Sequence, residues 1–263
     1  MKKKLYELLL ERGLTATEDE ARAIIMSGNV FAGGVKADKA GMLFDEACAI
    51  EVRQKEHPYV SRGGLKLARA IEVFGIDIKG KDCIDIGSST GGFTDCMLQN
   101  GAASVAAVDV GVGELAWKLR NDNRVTVMEG VNARYLHLCD VDKLFDAGVT
   151  DVSFISLKHI FPTLSELTKP EGVVVTLIKP QFECERKEVG EGGIVTDVLV
   201  HKAVICKVRE YAEKYGLYMI GIDFSPIKGM KGNTEFIAVY TKDKDRAKEY
   251  IPRVVAFIES FRA

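Results

Sequence analysis

The sequence predicts an α/β protein, with a doubly wound seven-stranded sheet over residues 64–263 behind a small α+β unit over residues 1–56. Three observations carry this. From residue 82 short apolar runs alternate with helical patterns, the rhythm of a mostly parallel sheet covered by helices. The stretch Cys83–Asp95 runs from an apolar strand through Asp85 and a string of small residues into a helix. Doubly wound sheets bind nucleotide-like ligands at such a strand end, where small residues and free helix amides admit them. The last two strands lie close in sequence, which makes one of them antiparallel to the rest.

Bulk properties narrow the class. The 263 residues are 47% hydrophobic and 28% charged, ordinary for a globular chain, with a net charge of −2. A nucleic-acid partner would therefore need locally placed cations. Six cysteines stand apart with no C-x-x-C pair and no metal-ligand spacing, so free thiols in a reducing cytoplasm are expected and no metal. Leu8-Leu9-Leu10 is too short an apolar run for a signal peptide or a membrane span.

In chain order, Leu5, Leu8, Leu9 and Leu10 predict a short helix stopped at Gly13. Thr17-Glu18-Asp19-Glu20 reads as a capping box opening a second helix that Gly28 closes. Val30-Phe31, a turn at Gly33-Gly34, and Val35 read as a hairpin, and Ala47–Val52 as a further strand. This unit resembles the alpha-L RNA-binding domain, through Leu9-Leu10-Glu11-Arg12-Gly13-Leu14 and the run from Glu20 through Ser27 and Gly28 to Val30. The resemblance implies that Arg12, Arg22 and Lys36 meet RNA phosphates. Composition does not: residues 1–60 hold 9 Lys/Arg and 10 Asp/Glu.

Residues 57–63 read as a linker, in which Pro58 biases His57 to extended geometry. A helix over Leu65–Phe74 follows. Arg62, Lys66 and Arg69 fall at i, i+4 and i+7, either a surface stripe or an anion site. Strands are predicted at Cys83–Ile86, Ser104–Asp109, Val125–Glu129, Ala147–Ser153, Gly172–Lys179, Leu217–Phe224 and Glu235–Thr241. Helices are predicted at Gly92–Asn100, Glu114–Arg120, Ser156–Leu167, Asp197–Lys214 and 242–262, the last with Pro252 inside. Residues 181–196 form a Gly- and Glu-rich loop.

Three chemistries compete for Cys83–Asp95. A dinucleotide site needs G-x-G-x-x-G, and the spacing of Gly87, Gly91 and Gly92 fails it. Gly87-Ser88-Ser89-Thr90-Gly91 matches a hydrolase elbow literally, but no histidine follows the last strands. The third is the S-adenosylmethionine loop of class I methyltransferases. In that reading Gly87, Ser88, Ser89, Thr90, Gly91, Gly92 and Phe93 cradle the cofactor, and Asp85 lies near its methionine end. Asp109, ending the second strand, accepts from the ribose hydroxyls, and Asn132 meets the adenine edge. Lys66, Asp151, Lys179 and Glu235 stand at strand ends or in the preceding helix, where one crevice would gather them. Alone, they read equally as a buried ion-pair network.

The whole chain resembles the haemolysin A (TlyA) family of ribosomal RNA ribose 2′-O-methyltransferases. The motifs are Val60-Ser61-Arg62-Gly63, Asp85–Thr94, Leu115–Asp122, Thr150–Leu157, Ile178-Lys179-Pro180-Gln181-Phe182-Glu183 and Gly232-Asn233-Thr234-Glu235. The larger part is similar to FtsJ-like enzymes, whose Lys-Asp-Lys-Glu tetrad falls on Lys66, Asp151, Lys179 and Glu235. The resemblance implies that S-adenosylmethionine is the cofactor and that the acceptor is a ribose, of cytidine in particular, in the rRNA of assembled subunits. It implies that Lys179 orients the 2′-hydroxyl, Asp151 and Glu235 hold it, and Lys66 secures the nucleotide. His57-Pro58-Tyr59 departs from the Arg-x-Trp of many relatives, a difference that bears on which subunit is modified. Two other readings stand against this one. A membrane-active cytolysin would need a span or an amphipathic anchor, and a non-catalytic assembly factor would not need an intact tetrad.

Overall fold

The structure, a computed structural model, describes residues 2–26, 28–52, 57–229 and 231–261. Ser27 of the alpha-L-like motif, the domain end at residue 56 and the last residue of the predicted final helix lie outside the described residues. The chain divides into two compact units, Met1–Pro58 and Tyr59–Ala263.

The smaller unit contains β1 (Lys2–Lys4), α1 (Leu5–Glu11), α2 (Glu18–Met26), β2 (Val30–Ala32), β3 (Val35–Lys36), β4 (Leu43–Asp45) and β5 (Ile50–Val52). Its core is Leu5, Leu9, Ala21, Ile25 and Val30. At the start of α2 the Thr17 hydroxyl accepts from the Glu20 amide at 3.2 Å, and Glu20 reaches back to the Ala16 amide at 2.7 Å. The reciprocal cap therefore spans one residue more than a standard box. β2 lies between β3 and β5 in an antiparallel sheet. The pairing of β1 with β4 was not expected, because Lys2-Lys3-Lys4 carries no apolar alternation.

The larger unit runs α3 (Gly63–Phe74), β6 (Asp82–Ile86), α4 (Gly92–Gln99), β7 (Ser104–Asp109), α5 (Trp117–Arg120), β8 (Val125–Glu129), α6 (Leu138–Val141) and β9 (Phe145–Thr150). It continues with α7 (Phe161–Leu167), β10 (Thr168–Ile178), α8 (Pro180–Glu183), α9 (Val198–Glu213), β11 (Tyr218–Phe224), β12 (Phe236–Thr241) and α10 (Lys244–Glu259). The segment Tyr59–Arg62, expected within a linker, belongs to this unit: Tyr59 is buried, and the Val60 amide donates to Asp95 at 2.7 Å.

The seven strands stand in the order β11-β12-β10-β9-β6-β7-β8. β12 is antiparallel to both its neighbours, and the other pairings are parallel. Alternate residues serve opposite faces. Ile84, Ile86, Val174 and Ile178 pack with Phe161, Leu164, Val204 and Tyr240 on one side. Cys83, Val105, Val175 and Leu177 pack with Leu67, Ala70 and Met97 on the other. Burying each such aliphatic side chain contributes about 1.5–3 kcal/mol, which is why a two-sided sheet dominates the unit.

Several element boundaries differ from expectation; the strand expected over Ala147–Ser153 is Phe145–Thr150, which leaves Asp151 just past it. The helix predicted from Ser156 starts at Phe161, because Pro162 fits only a first helical turn, and residues 157–159 form a separate 3-10 turn. The helix predicted from Glu114 shrinks to α5. β10 begins four residues early, with a register shift between Thr168 and Val173. The strand order reverses direction around β6, so the carboxyl ends of β6, β9 and β10 open onto a common crevice.

Candidate active site

The turn after β6 is tight because three of its residues take left-handed backbone, Gly87 (φ 81°), Ser89 (φ 45°) and Gly91 (φ 92°). The Gly87 and Ser88 amides both donate to the Val108 carbonyl, at 2.8 and 3.1 Å, which pins the turn to β7. The glycines serve packing as well as access. A Cβ on Gly91 would strike Leu119, and one on Gly92 would strike Ser61 and come within 2.9 Å of the Gly64 nitrogen. Asp109 bridges two loops, accepting from the Ser89 amide at 2.7 Å and the Gly111 amide at 2.8 Å.

Asp85 lies beneath this turn with no exposure. One of its oxygens accepts from the Thr94 amide at 2.9 Å and the Thr94 hydroxyl at 2.7 Å. The other has no partner among the described residues. Desolvation outweighs those two hydrogen bonds and pushes the carboxyl up to about 7.

In the same crevice four side chains from four elements meet. Lys66 projects from the first turn of α3, Asp151 and Lys179 each stand one residue past β9 and β10, and Glu235 immediately precedes β12. The Lys66 ammonium lies 2.7 Å from Glu235 Oε2 and 3.2 Å from Asp151 Oδ2. Lys179 Nζ lies 2.6 Å from Asp151 Oδ1. It also donates to Ser153 Oγ at 2.8 Å and to the Asp151 carbonyl at 3.3 Å. Both lysines are only 7% exposed. Burial alone would push Lys66 down, but the two carboxylates outweigh it and hold its pKa above the ordinary lysine value. Gly229 makes room for this cluster, since a Cβ there would lie 2.5 Å from Glu235 Oε1.

A cavity of about 500 Å³ is lined by both the turn and the cluster, a size that suits a small cofactor beside one acceptor group. Its walls include Gly87–Thr90, Gly92 and Phe93 and all four members of the charged cluster. Of the residues expected at a cofactor, Asp85, Gly91, Asp109 and Asn132 do not line it. Asp85 lies under the turn, and Gly91, within it, packs against Leu115 and Leu119. Asn132 is exposed and uses its side-chain oxygen to cap the 3-10 turn that follows, through the Arg134 amide. The chemistry of the walls fits a nucleoside-type cofactor, through a glycine-rich backbone strip at the opening of α4; Asp109, outside the walls, holds that strip through the Ser89 amide.

The expected phosphate-binding cations have different fates. Arg12 donates to the Cys48 and Glu46 carbonyls, at 2.9 and 2.5 Å. Arg22 pairs with Glu18 at 2.6 Å and stacks 4.3 Å from the Tyr6 ring centroid. Arg69 pairs with Asp223 at 2.9 Å. These three are engaged within their own units. Lys36 and Arg62 are exposed, and Arg62 lines the cavity.

Several cavity residues were not expected. Ser153 takes a Lys179 hydrogen bond. Phe154 is 89% exposed with φ 63°, its ring tilted against Phe182 at 5.1 Å. An aromatic residue inside Asp151-Val152-Ser153-Phe154, just past a strand end, was the readable signal. Lys228 and Lys231 add cations to the rim from the β11–β12 loop, and buried Asn233 ties that loop to Gly193 and Val195. Among the described residues no helix is long and apolar enough to cross a membrane, and no cluster of side chains could hold a metal ion.

The model of the FtsJ-like methyltransferase family matches residues 59–242. The chain is 47% identical over 237 residues to YqxC of Bacillus subtilis (strain 168), provisionally named an rRNA methyltransferase, covering 90% of this chain and 84% of the relative. It is 40% identical over 240 residues to the 16S/23S rRNA (cytidine-2′-O)-methyltransferase TlyA of Mycobacterium tuberculosis, covering 91% and 90%. A solved structure from Streptococcus thermophilus, provisionally described as a hemolysin, is similar with a TM-score of 0.70 and 40% identity over 98% of each chain.

Proposed function

The chain belongs to the FtsJ-like methyltransferase family, and we propose that it methylates the ribose 2′-hydroxyl of a cytidine in ribosomal RNA, with S-adenosylmethionine as donor. The observation that carries the reading is the meeting of Lys66, Asp151, Lys179 and Glu235 in the cavity that the glycine-rich turn also lines. Two relatives support the substrate by name, one an rRNA methyltransferase and one an rRNA cytidine 2′-O-methyltransferase.

S-adenosylmethionine supplies an electrophilic methyl group. The strip Gly87–Thr90 with Gly92 and Phe93 would hold it, with Asp109 toward its ribose. The rest falls to the chain's own side chains. Lys179 Nζ makes two hydrogen bonds, and the longer, 3.3 Å to the Asp151 carbonyl, is the one a ribose hydroxyl displaces. Lys179 then orients that hydroxyl toward the methyl group. As the O–CH3 bond formed and the methyl–sulfur bond broke, the hydroxyl proton would pass to Asp151 Oδ1, which lies 2.6 Å from the Lys179 ammonium. Lys66 stays charged between Asp151 and Glu235 and fixes both carboxylates. Phe154 offers its exposed face to the acceptor base, since enzymes acting on a nucleotide take it out of the stack and hold it against aromatic rings. The alpha-L-like unit is the recognition module, and Lys36 is a phosphate contact on it. Arg62 plays that part on the catalytic unit.

The test incubates the purified chain with tritiated S-adenosylmethionine and ribosomal subunits, then digests the RNA to nucleosides. Label in 2′-O-methylcytidine is expected, and its loss in Lys179→Ala. Label on a base, or none with wild-type chain, sinks the reading.

A further inference from the structure

Glu183 is a buried carboxylate that the reaction above does not use. It is 4% exposed, and burial raises its pKa. No cation pairs with its carboxylate among the described residues; Lys207 donates to its backbone carbonyl instead, at 2.7 Å. A buried charge is retained only where hydrogen bonds compensate its desolvation. Here one oxygen accepts from the Leu157 amide at 2.7 Å and the other from the Ser156 hydroxyl at 2.7 Å.

Those two bonds hold the far end of a segment with no regular structure of its own. Residues 151–156 lie between β9 and the 157–159 turn, and Phe154 within them takes left-handed backbone. The segment supplies Asp151, Ser153 and Phe154 to the cavity. Lys179 holds its near end through Asp151 and Ser153. Lys179 immediately precedes and Glu183 ends a single short turn, α8, closed by Phe182 N–H to the Lys179 carbonyl at 2.9 Å and Cys184 N–H to the Pro180 carbonyl at 2.9 Å. One rigid turn therefore grips the segment at both ends.

We propose that Glu183 is a positioning residue: through Ser156 and Leu157 it fixes the segment that presents Asp151, Ser153 and Phe154 to Lys179. It touches neither the acceptor nor the methyl donor. The inference rests on the methyltransferase reading, and it concerns geometry rather than proton transfer, so the amide should replace the acid. The substitution Glu183→Gln would keep an oxygen for the Leu157 amide and place its NH2 against the Ser156 oxygen.

The experiment measures kcat, the KM for S-adenosylmethionine and melting temperature on ribosomal subunits for wild type, Glu183→Ala, Glu183→Gln and Ser156→Ala. Small misplacements of reacting groups cost about a hundredfold in rate, so Glu183→Ala should lower kcat by about that factor with the cofactor KM within about twofold. Glu183→Gln should regain most of the loss. Ser156→Ala, which removes one of the two bonds, should lower kcat by about tenfold and decides the matter if Glu183→Ala does not fold. With an active wild type, unchanged kcat in both Glu183→Ala and Ser156→Ala overturns the inference. So does a glutamine variant as impaired as the alanine one, which would mean that the charge itself is used. An inactive wild type sinks the methyltransferase reading, and the inference with it.

Discussion

Lys66 stays charged at 7% exposure because Glu235 and Asp151 lie 2.7 and 3.2 Å away. Its pKa is raised, so the stability it contributes is complete below the ordinary lysine value near 10.4 and fades only as pH rises through the higher folded-state value. Removing it leaves buried Glu235 without its cation, beside an Asp151 that keeps Lys179. Lys66→Ala should therefore lose about 3–5 kcal/mol at pH 7 in urea unfolding. Asp85 runs the opposite way. Its folded-state value of about 7 exceeds the unfolded value near 3.9, so the native state binds the extra proton. Stability from this group is whole below about pH 4 and is lost as pH rises to about 7, by about 4 kcal/mol in all. Asp85→Asn should gain on wild type across that window and level off above it; a pH-independent difference in midpoint would show that the carboxyl titrates normally. Both residues were legible as strand-end or helix-entrance charges in the sequence. What Asp85 does was not, because sequence cannot tell a carboxylate that faces a ligand from one buried under Thr94.

The β11–β12 loop shows the same limit at the level of elements. Both strands were readable from their apolar runs, and Glu235 from its place beside the last one. The loop's fastening was not, since it depends on contacts far apart in sequence: the Asn233 oxygen accepts from the Val195 amide at 2.9 Å, and its NH2 donates to the Gly193 carbonyl at 2.9 Å. Gly229 occupies ordinary backbone, so its requirement is space alone. Gly229→Ala would set a methyl group 2.5 Å from Glu235 Oε1. Glu235 must move, and its 2.7 Å contact with Lys66 lengthens. The expected result is a drop of about tenfold or more in kcat, with the melting temperature changed far less than in Lys66→Ala, because the loop can shift while both charges stay paired. Short elements escaped prediction for a related reason. β1 and β4 have three residues each, too few for a period to register, and Pro162 moved the start of α7 past the run that announced it.

At the scale of the molecule, the strand order brings the glycine-rich turn after β6 and the charged side chains after β9 and β10 to neighbouring strand ends of one sheet. The seven strands and the single antiparallel one were legible as apolar runs; their order across the sheet was not, although parallel crossovers leave few topologies. The tetrad was legible too, because Asp151 and Lys179 sit one residue past strands whose apolar runs were plain. Which side chains of the cavity meet the donor and which the acceptor was not readable, and it makes the sharpest whole-molecule test. A ligand that binds only the native state stabilises it by RT ln(1 + [L]/Kd), about 2.7 kcal/mol at a hundredfold excess over Kd. Lys179 stands in the charged cluster, so Lys179→Ala should melt lower than wild type in the absence of ligand, having left Asp151 without its closest cation. It should nevertheless show the full upward shift on adding S-adenosylmethionine. Asp109 is held by the Ser89 and Gly111 amides next to the glycine-rich turn, so Asp109→Ala should lose most of that shift. Thermal melts of the three proteins across a titration of S-adenosylmethionine separate the two roles. Equal shifts in wild type and Asp109→Ala would remove Asp109 from the cofactor's contacts. A shift abolished in Lys179→Ala would mean that the donor reaches into the charged cluster itself, leaving no separate place for the ribose.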